Sequence, residues 1–438
     1  MSGSNVRPLL RAASVAVRLA RLDGTVADPG SDATVAWIER DGTRWHGLDE
    51  AWRLEAASSA VALPDQARAW LREHVADRDA RTFLRFFGGL AFDADHAGAF
   101  PAGALWLPAC LVRQDATGAD FAVTVRRQED ESDQALEARL DLAVARYRAR
   151  LATPQPARTW EPGTLQADAG ARQRWTLAIE DALAGFAAGR FEKVVLARTL
   201  TIDFARPPAV EQAFLALAER APGTLRFLLR PAPDAVFFGA SPELLVEQAG
   251  GHVHADCLAG TAPRGSDAAH DDALGAGLLA SAKDRHEHAV VVDFVRQALA
   301  PHADALAVAD EPVLSKLANV QHLYTPVDAV RPADAPLEDL VAALHPTPAV
   351  CGQPREAARA WIQAAEAAPR GWYAGAVGWV GLEGARFAVG IRSAAVQGRR
   401  ALVYAGAGLV PGSTAEGEWA ETERKAAPLV ALLTGGAP

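Results

Sequence analysis

Between Lys193 and Leu258 the chain holds five short strand-forming runs, at residues 193–201, 225–230, 235–239, 244–248 and 252–258. Only one helix-like stretch, 209–221, falls among them. Parallel neighbours need long, mostly helical crossovers, whereas antiparallel ones need only tight turns. This spacing therefore predicts a large antiparallel sheet and argues against a βαβ array. Half of the 438 residues are hydrophobic and 22% are charged, enough apolar surface for a sizeable core and too much for a disordered chain.

The same habit runs on. Helices are predicted near 283–300, 336–344 and 354–367, strands near 372–381, 386–397 and 401–407, and a last helix from Thr414. Upstream, 33–39 and 83–92 read as strands, with Gly88-Gly89 marking a bulge or a close backbone approach. Leu136, Leu140, Val144, Tyr147 and Leu151 share one face of a helix over 133–151. Trp175, Ile179, Leu183 and Phe186 share a face of the next, which Gly189 is placed to end. The Pro-containing connector at 152–163 is either a domain boundary or a loop inside one domain.

Several function classes drop out. A net charge of −10 with no basic stripe excludes nucleic acid and anionic membrane as partners, although a few local arginines can still hold a small anion. Cys110, Cys257 and Cys351 are far apart and form no CxxC pair, which points away from disulfides and zinc and towards a reducing compartment. Apolar stretches between Arg7, Arg11, Arg18 and Arg21 are too short for a signal-peptide core, and no window reaches about eighteen apolar residues. A cytoplasmic location with no membrane contact is expected.

Four places set an ionisable group among residues that prefer the interior. Lys193 shares a strand face with Phe191, Val195 and Ala197. Desolvation disfavours an ammonium, which is how a lysine becomes a base near neutral pH; the alternative is a stem that snorkels to solvent. Glu243 follows Ser241-Pro242 at the mouth of a strand, where a half-buried carboxyl can keep its proton and act as an acid, or is simply an exposed turn residue. Glu287 lies in the first turn of a helix, and Glu418 and Glu421 share a face of the last one, with Lys425 a turn beyond. Three converging carboxylates suit Mg²⁺, which takes few protein ligands; Glu421 and Lys425 could equally be a surface pair. Gly406-Ala-Gly-Leu-Val-Pro-Gly412 invites a dinucleotide reading, but its glycine spacing is wrong and the chain ends too soon for a second strand. Its glycines fit a close approach of backbone to an anionic group.

Taken together, these stretches resemble the chorismate-utilising enzymes, and within them the isochorismate synthases. The segments that carry the resemblance are Lys193-Val-Val-Leu-Ala-Arg198, Gly239-Ala-Ser-Pro-Glu243, Leu258-Ala-Gly-Thr261 and Lys283-Asp-Arg-His-Glu-His288. Further on come Val320-Gln-His-Leu323, His345-Pro-Thr-Pro-Ala349, Gly375-Ala-Val-Gly-Trp379, Ile391-Arg-Ser393, Tyr404-Ala-Gly-Ala-Gly408 and Gly417-Glu-Trp-Ala-Glu421. The match covers about 170–433 in order and is looser over 1–160, through Phe87-Gly-Gly-Leu-Ala-Phe-Asp93.

The resemblance implies an α+β fold over 1–438, a single large domain of two stacked antiparallel sheets surrounded by helices, with 152–163 as an internal loop. It implies a Mg²⁺-dependent isomerase acting on chorismate. Lys193 would activate water at ring C2, and Glu243 would protonate the departing 4-hydroxyl. Glu287 and Glu421, with Glu418 close by, would hold Mg²⁺. Tyr373, Arg392, Lys425, Gly406 and Gly408 would hold the enolpyruvyl carboxylate, with Gly260, Thr261, His345 and Thr347 around the ring. Ammonia-using relatives carry a Pro-Ala-Gly-Thr type segment where this chain has His345-Pro-Thr-Pro, and need a glutaminase subunit; none is expected here, and a monomer is. Cys351-Gly-Gln-Pro354 replaces a more usual Gly-Gly pair. Salicylate synthases share the lysine, glutamate and metal site but tend to have Leu where this chain has Ile391. A non-catalytic chorismate-binding homologue would have no use for the acid and the base.

Overall fold

The computed structural model describes residues 15–22, 26, 33–75, 77–153, 161–317 and 320–436. Arg7, Arg11 and most of the 152–163 connector lie outside them. Among the described residues, twenty strands join by antiparallel pairing into one continuous ladder. One arm runs from Lys193–Asp203 through Arg400–Leu409, Ser393–Gln397, Ala235–Ser241 and Leu225–Ala232 to Ala33–Ile38. The other runs from Arg85–Leu90 through Ala376–Gly381, Gly384–Val389, Leu244–Ala249 and His252–Pro263 to Val320–Val330. Two long paired strands, Arg44–Ala56 and Gly103–Asp115, join the arms. A register shift between Glu50 and Trp52, beside Asp49 at φ 52°, gives the first the bulge at which a long strand bends. The two sheets implied by the resemblance are thus the arms of one ladder.

Residues before and after the connector build this ladder together, since Ala33–Ile38 pairs with Leu225–Ala232 and Arg85–Leu90 with Ala376–Gly381. A row of buried rings crosses the shared core, from Trp37 to Phe227 (6.3 Å between centroids), Phe237 (5.5 Å), Trp372 (6.2 Å) and Trp106 (6.4 Å). Such pairs add roughly 0.5–1.5 kcal/mol each beyond their buried area. No helix among the described residues is long and apolar enough to cross a membrane.

Two local expectations change. Gly88-Gly89 forms no bulge: both residues pair in register with the strands on either side. Their smallness serves close approach, because a Cβ on Gly88 would lie 1.9 Å from the Ala104 carbonyl oxygen and one on Gly89 2.7 Å from the Trp372 ring. The strand expected over 386–397 is two strands, Gly384–Val389 and Ser393–Gln397, and the strand expected from 372 begins at Ala376. The intervening turns clasp each other, with Ala374 N–H donating to Gly390 (3.0 Å) and Gly390 N–H to Gly375 (2.8 Å). That clasp sets Tyr373 and Arg392 side by side on the wall of one cavity.

Candidate active site

The cavity lies between the Lys193–Asp203 and Arg400–Leu409 strands, the Glu243 turn, helix Ala282–Leu299 and helix Ala415–Thr434. It measures about 710 Å³ counting the part open to solvent. Glu243, Gly260, Thr261, Glu287, Tyr373, Arg392, Gly406, Gly408, Glu421 and Lys425 all line it. Lys193 does not line it but lies directly behind Gly408, which does.

Lys193 opens its strand and is fully buried. Its Nζ lies 3.0 Å from Glu287 Oε1 and finds no hydrogen bond of good geometry. The snorkelling alternative therefore fails. The opposing strand can supply only glycine here: a Cβ on Gly408 would stand 2.4 Å from Glu287 Oε1 and 3.3 Å from Lys193 Cε. Gly406 makes room in the same way, since a Cβ there would stand 2.7 Å from the Tyr373 hydroxyl, and its carbonyl accepts from Lys425 Nζ at 3.1 Å.

Glu243 sits between strands Ala235–Ser241 and Leu244–Ala249, with its N–H on Ser241 Oγ (3.2 Å) and its carbonyl accepting from Val389 (3.1 Å). Only 4% of it is exposed. Burial, then the negative charge of Asp256, pushes its carboxyl up to about 8, against the opposing pull of Lys193 and Lys425. A carboxyl that keeps its proton at neutral pH is a proton donor. Asp256 is itself fixed by Arg40 (2.6 Å) and the Leu244 N–H (3.1 Å).

Gly260 occupies a bulge in strand His252–Pro263, where register slips between Ala259 and Thr261 and φ is 73°. The bulge turns the Gly260 carbonyl and the Thr261 hydroxyl onto His322 Nδ1, both at 3.1 Å. His322 lines the cavity and was not singled out from the sequence. Burial, followed by Arg392 and Lys425, lowers its pKa to about 3, so the ring is neutral. Its position in the Val320–Val330 strand, directly opposite Thr261, is the signal that would have found it. Tyr404, also missed, stacks on Tyr373 at 4.9 Å. Arg392, at φ 50°, has no hydrogen-bond or ion-pair partner for its guanidinium among the described residues.

Besides Lys193, three expected residues stand off the cavity. His345 is half-buried with Nε2 3.0 Å from the Ala91 carbonyl, and desolvation lowers its pKa to about 4. Thr347 takes part through its carbonyl, which accepts from Val350 (3.1 Å) and Cys351 (2.9 Å) and so forms the turn that places Val350 in the wall. The His345 ring is held by the Ala91 carbonyl, and the Thr347 hydroxyl is buried without a hydrogen-bond partner, so neither side chain lines the cavity. Glu418 lies one helical turn before Glu421, deeper in the protein, and meets Lys283 Nζ at 3.1 Å.

The acids do not form a ready cluster: among the described residues no three His, Cys, Asp or Glu side chains are grouped to hold a metal ion. Each instead faces a lysine, Glu287 with Lys193 (3.0 Å), Glu421 with Lys425 (2.5 Å) and Glu418 with Lys283 (3.1 Å). Burial and then the neighbouring Glu421 raise the Glu418 carboxyl, the mark of two acids set close in a dry place. Burial also opposes the charge of Glu421, but Lys425 outweighs it and the net effect is downward. Carboxylate oxygens are the hard donors that a divalent cation such as Mg²⁺ takes, and such an ion would have to displace the lysines that now hold them.

The model of the chorismate binding enzyme family matches residues 28–434. A salicylate biosynthesis isochorismate synthase from Pseudomonas aeruginosa is 40% identical over 398 residues, covering 86% of this chain and 77% of its own. Isochorismate synthase MenF of Escherichia coli is 32% identical over 405 residues, 91% of this chain and 87% of that protein. The solved structure of MenF, the menaquinone-specific isochorismate synthase of Escherichia coli, superposes with a TM-score of 0.79 at 30% identity, over 96% of this chain and 95% of that one. The chain belongs to the chorismate-binding enzymes.

Proposed function

We propose that the cavity converts chorismate to isochorismate by exchanging one hydroxyl for another around the ring. Lys193 Nζ takes a proton from water as the water oxygen bonds to C2. The ring double bonds shift, the C4–O bond breaks, and Glu243 gives its proton to the departing hydroxyl, which leaves as water. Atoms balance, since one water enters and one departs. The observation that carries this reading is a Glu243 on the cavity wall whose carboxyl is pushed up to about 8, with Lys193 fully buried behind Gly408 of the same wall. A binding module would have no cause to bury either group.

Arg392, unpartnered on the wall, and Lys425 suit the two carboxylates of the substrate, and a guanidinium can grip one through two parallel bonds. Glu287 and Glu421 would hold Mg²⁺, with Glu418 in reserve behind them; the ion would supply electron withdrawal at the ring carboxylate. The proposal extends to a cytoplasmic monomer working without a glutaminase subunit, because water is the nucleophile.

The test is incubation with chorismate and Mg²⁺, with products separated by chromatography. Isochorismate as the product supports the reading. Release of pyruvate with fluorescent salicylate would move the chain to a salicylate synthase, and bound but unchanged chorismate would make it a binding protein.

A further inference from the structure

The strand that begins at Lys193 is paired from Val194 to Asp203 on one side, with Arg400–Leu409. On the other side, among the described residues, Lys193 and Val194 pair with Gln353 and Gly352, Ile202 and Asp203 pair with Leu165 and Thr164, and the stretch between has no strand partner, although the Val195 N–H reaches the Cys351 carbonyl at 2.8 Å. Beyond Cys351 the neighbouring chain folds into the Thr347 turn and offers no further strand. An edge left in this way carries unsatisfied N–H and C=O groups.

Two side chains continue the ladder in place of the missing strand. The Val195 carbonyl accepts from Arg370 Nη2 at 2.8 Å, and the Ala197 N–H donates to Glu366 Oε1 at 2.7 Å. The same guanidinium donates through Nη1 to the Val350 carbonyl at 2.6 Å. Both Glu366 oxygens hold it, at 2.5 and 2.9 Å. The pair is buried, with side-chain exposures of 3% and 6%. Its backbone partners Val195 and Val350 line the cavity, and the Arg370 carbonyl accepts from Tyr373 N–H at 3.0 Å. Neither Glu366 nor Arg370 lines the cavity.

We propose that Glu366 and Arg370 are positioning residues for the base, a side-chain substitute for a strand that fixes Lys193, the Val350 wall and Tyr373 relative to one another. The inference rests on Lys193 acting as the base. A free edge two residues from Lys193 would let the strand tilt, and a misplacement of about 1 Å at a reacting group lowers the rate by roughly 100-fold.

The test compares three variants with the wild-type enzyme in thermal unfolding, chorismate binding by calorimetry and steady-state rate. Glu366→Leu/Arg370→Met removes both charges together, a replacement of a buried pair that is often neutral for stability. Arg370→Lys keeps the charge but supplies a point donor where four acceptor atoms need a fork. Glu366→Gln keeps an acceptor for Ala197 N–H. The double variant and Arg370→Lys are expected to lose at least about 10-fold in kcat with chorismate affinity within about 3-fold of wild type, and Glu366→Gln to retain most activity. Wild-type kcat in a folded double variant overturns the proposal. So does a kcat loss matched by an equal loss of binding, which would be collapse of the site as a whole. Should the double variant fail to fold, Arg370→Lys decides alone, and wild-type kcat there is equally fatal. Absence of turnover in the wild-type enzyme would instead defeat the functional reading beneath it.

Discussion

Replacing Glu243 by Gln is expected to remove activity and, with rising pH, to stabilise the fold. The carboxyl titrates at 4.5 when exposed and at about 8 in its buried position. Between those values the folded chain keeps a proton that the unfolded chain has lost, so stability falls as pH rises towards the folded pKa. At about 1.4 kcal/mol per pH unit, most of the window from pH 5 to pH 8 is used, and the wild-type fold is weakened by about 3 kcal/mol across it. Glutamine has the same shape and no proton to lose. With roughly 2.1 cal/mol/K of unfolding entropy per residue over 438 residues, the variant's Tm advantage should grow by about 3 °C between pH 5 and pH 8. Other titrating groups are common to both proteins and cancel in the difference. The assay is thermal unfolding by circular dichroism in metal-free buffer at several pH values, alongside chorismate turnover, which should fall by about 100-fold or more for loss of a general acid. A Tm difference that stays flat with pH would show that Glu243 is ionised in the fold, and the assignment of the acid would go with it.

Lys193→Ala should lower kcat by about 100-fold or more while chorismate still binds in calorimetry; weakened binding at an unchanged rate would contradict its role as base. Glu421→Gln should raise the Mg²⁺ concentration needed for half-maximal rate by at least about 10-fold, and an unaltered metal requirement would reject that ligand. Lys283 holds Glu418 at 3.1 Å, so Lys283→Met should free a buried carboxylate and tighten Mg²⁺ binding by about 10-fold in calorimetry. Equal or weaker metal binding would place Glu418 outside the cation's reach.

The burial of Lys193 and Glu243 was legible because each breaks a local rule: Lys193 interrupts an apolar strand, and Glu243 follows a proline at a strand mouth. Burial then follows from the neighbours alone. The sheet was legible too, since strand spacing without helices leaves only antiparallel pairing. His345 and Thr347 show where such reasoning stops. The sequence marks their segment as unusual but does not say which of its side chains reach the cavity, and neither of these does. Glu366 and Arg370 gave no signal at all. Their partners are backbone groups of Val195, Ala197 and Val350, which carry no side-chain identity to read and lie up to 175 positions away.

An acidic chain must still admit a dianion, and the charges around the cavity show how it can. Four basic side chains, Lys193, Lys283, Lys425 and Arg392, stand against three carboxylates, Glu287, Glu418 and Glu421, while Glu243 is held neutral by burial. Three of the four bases are already engaged with those acids, and Arg392 alone is free to meet an incoming carboxylate. A divalent cation on the acids would release lysines from them and leave the wall more positive where the substrate docks. Cation and chorismate should therefore bind with positive coupling of about 1–3 kcal/mol, and linkage makes it reciprocal. Calorimetry of chorismate with and without Mg²⁺, and of Mg²⁺ with and without chorismate, must then give the same factor. Independent binding would mean that the lysines stay on their carboxylates throughout, and that the cation, if it binds, does so elsewhere.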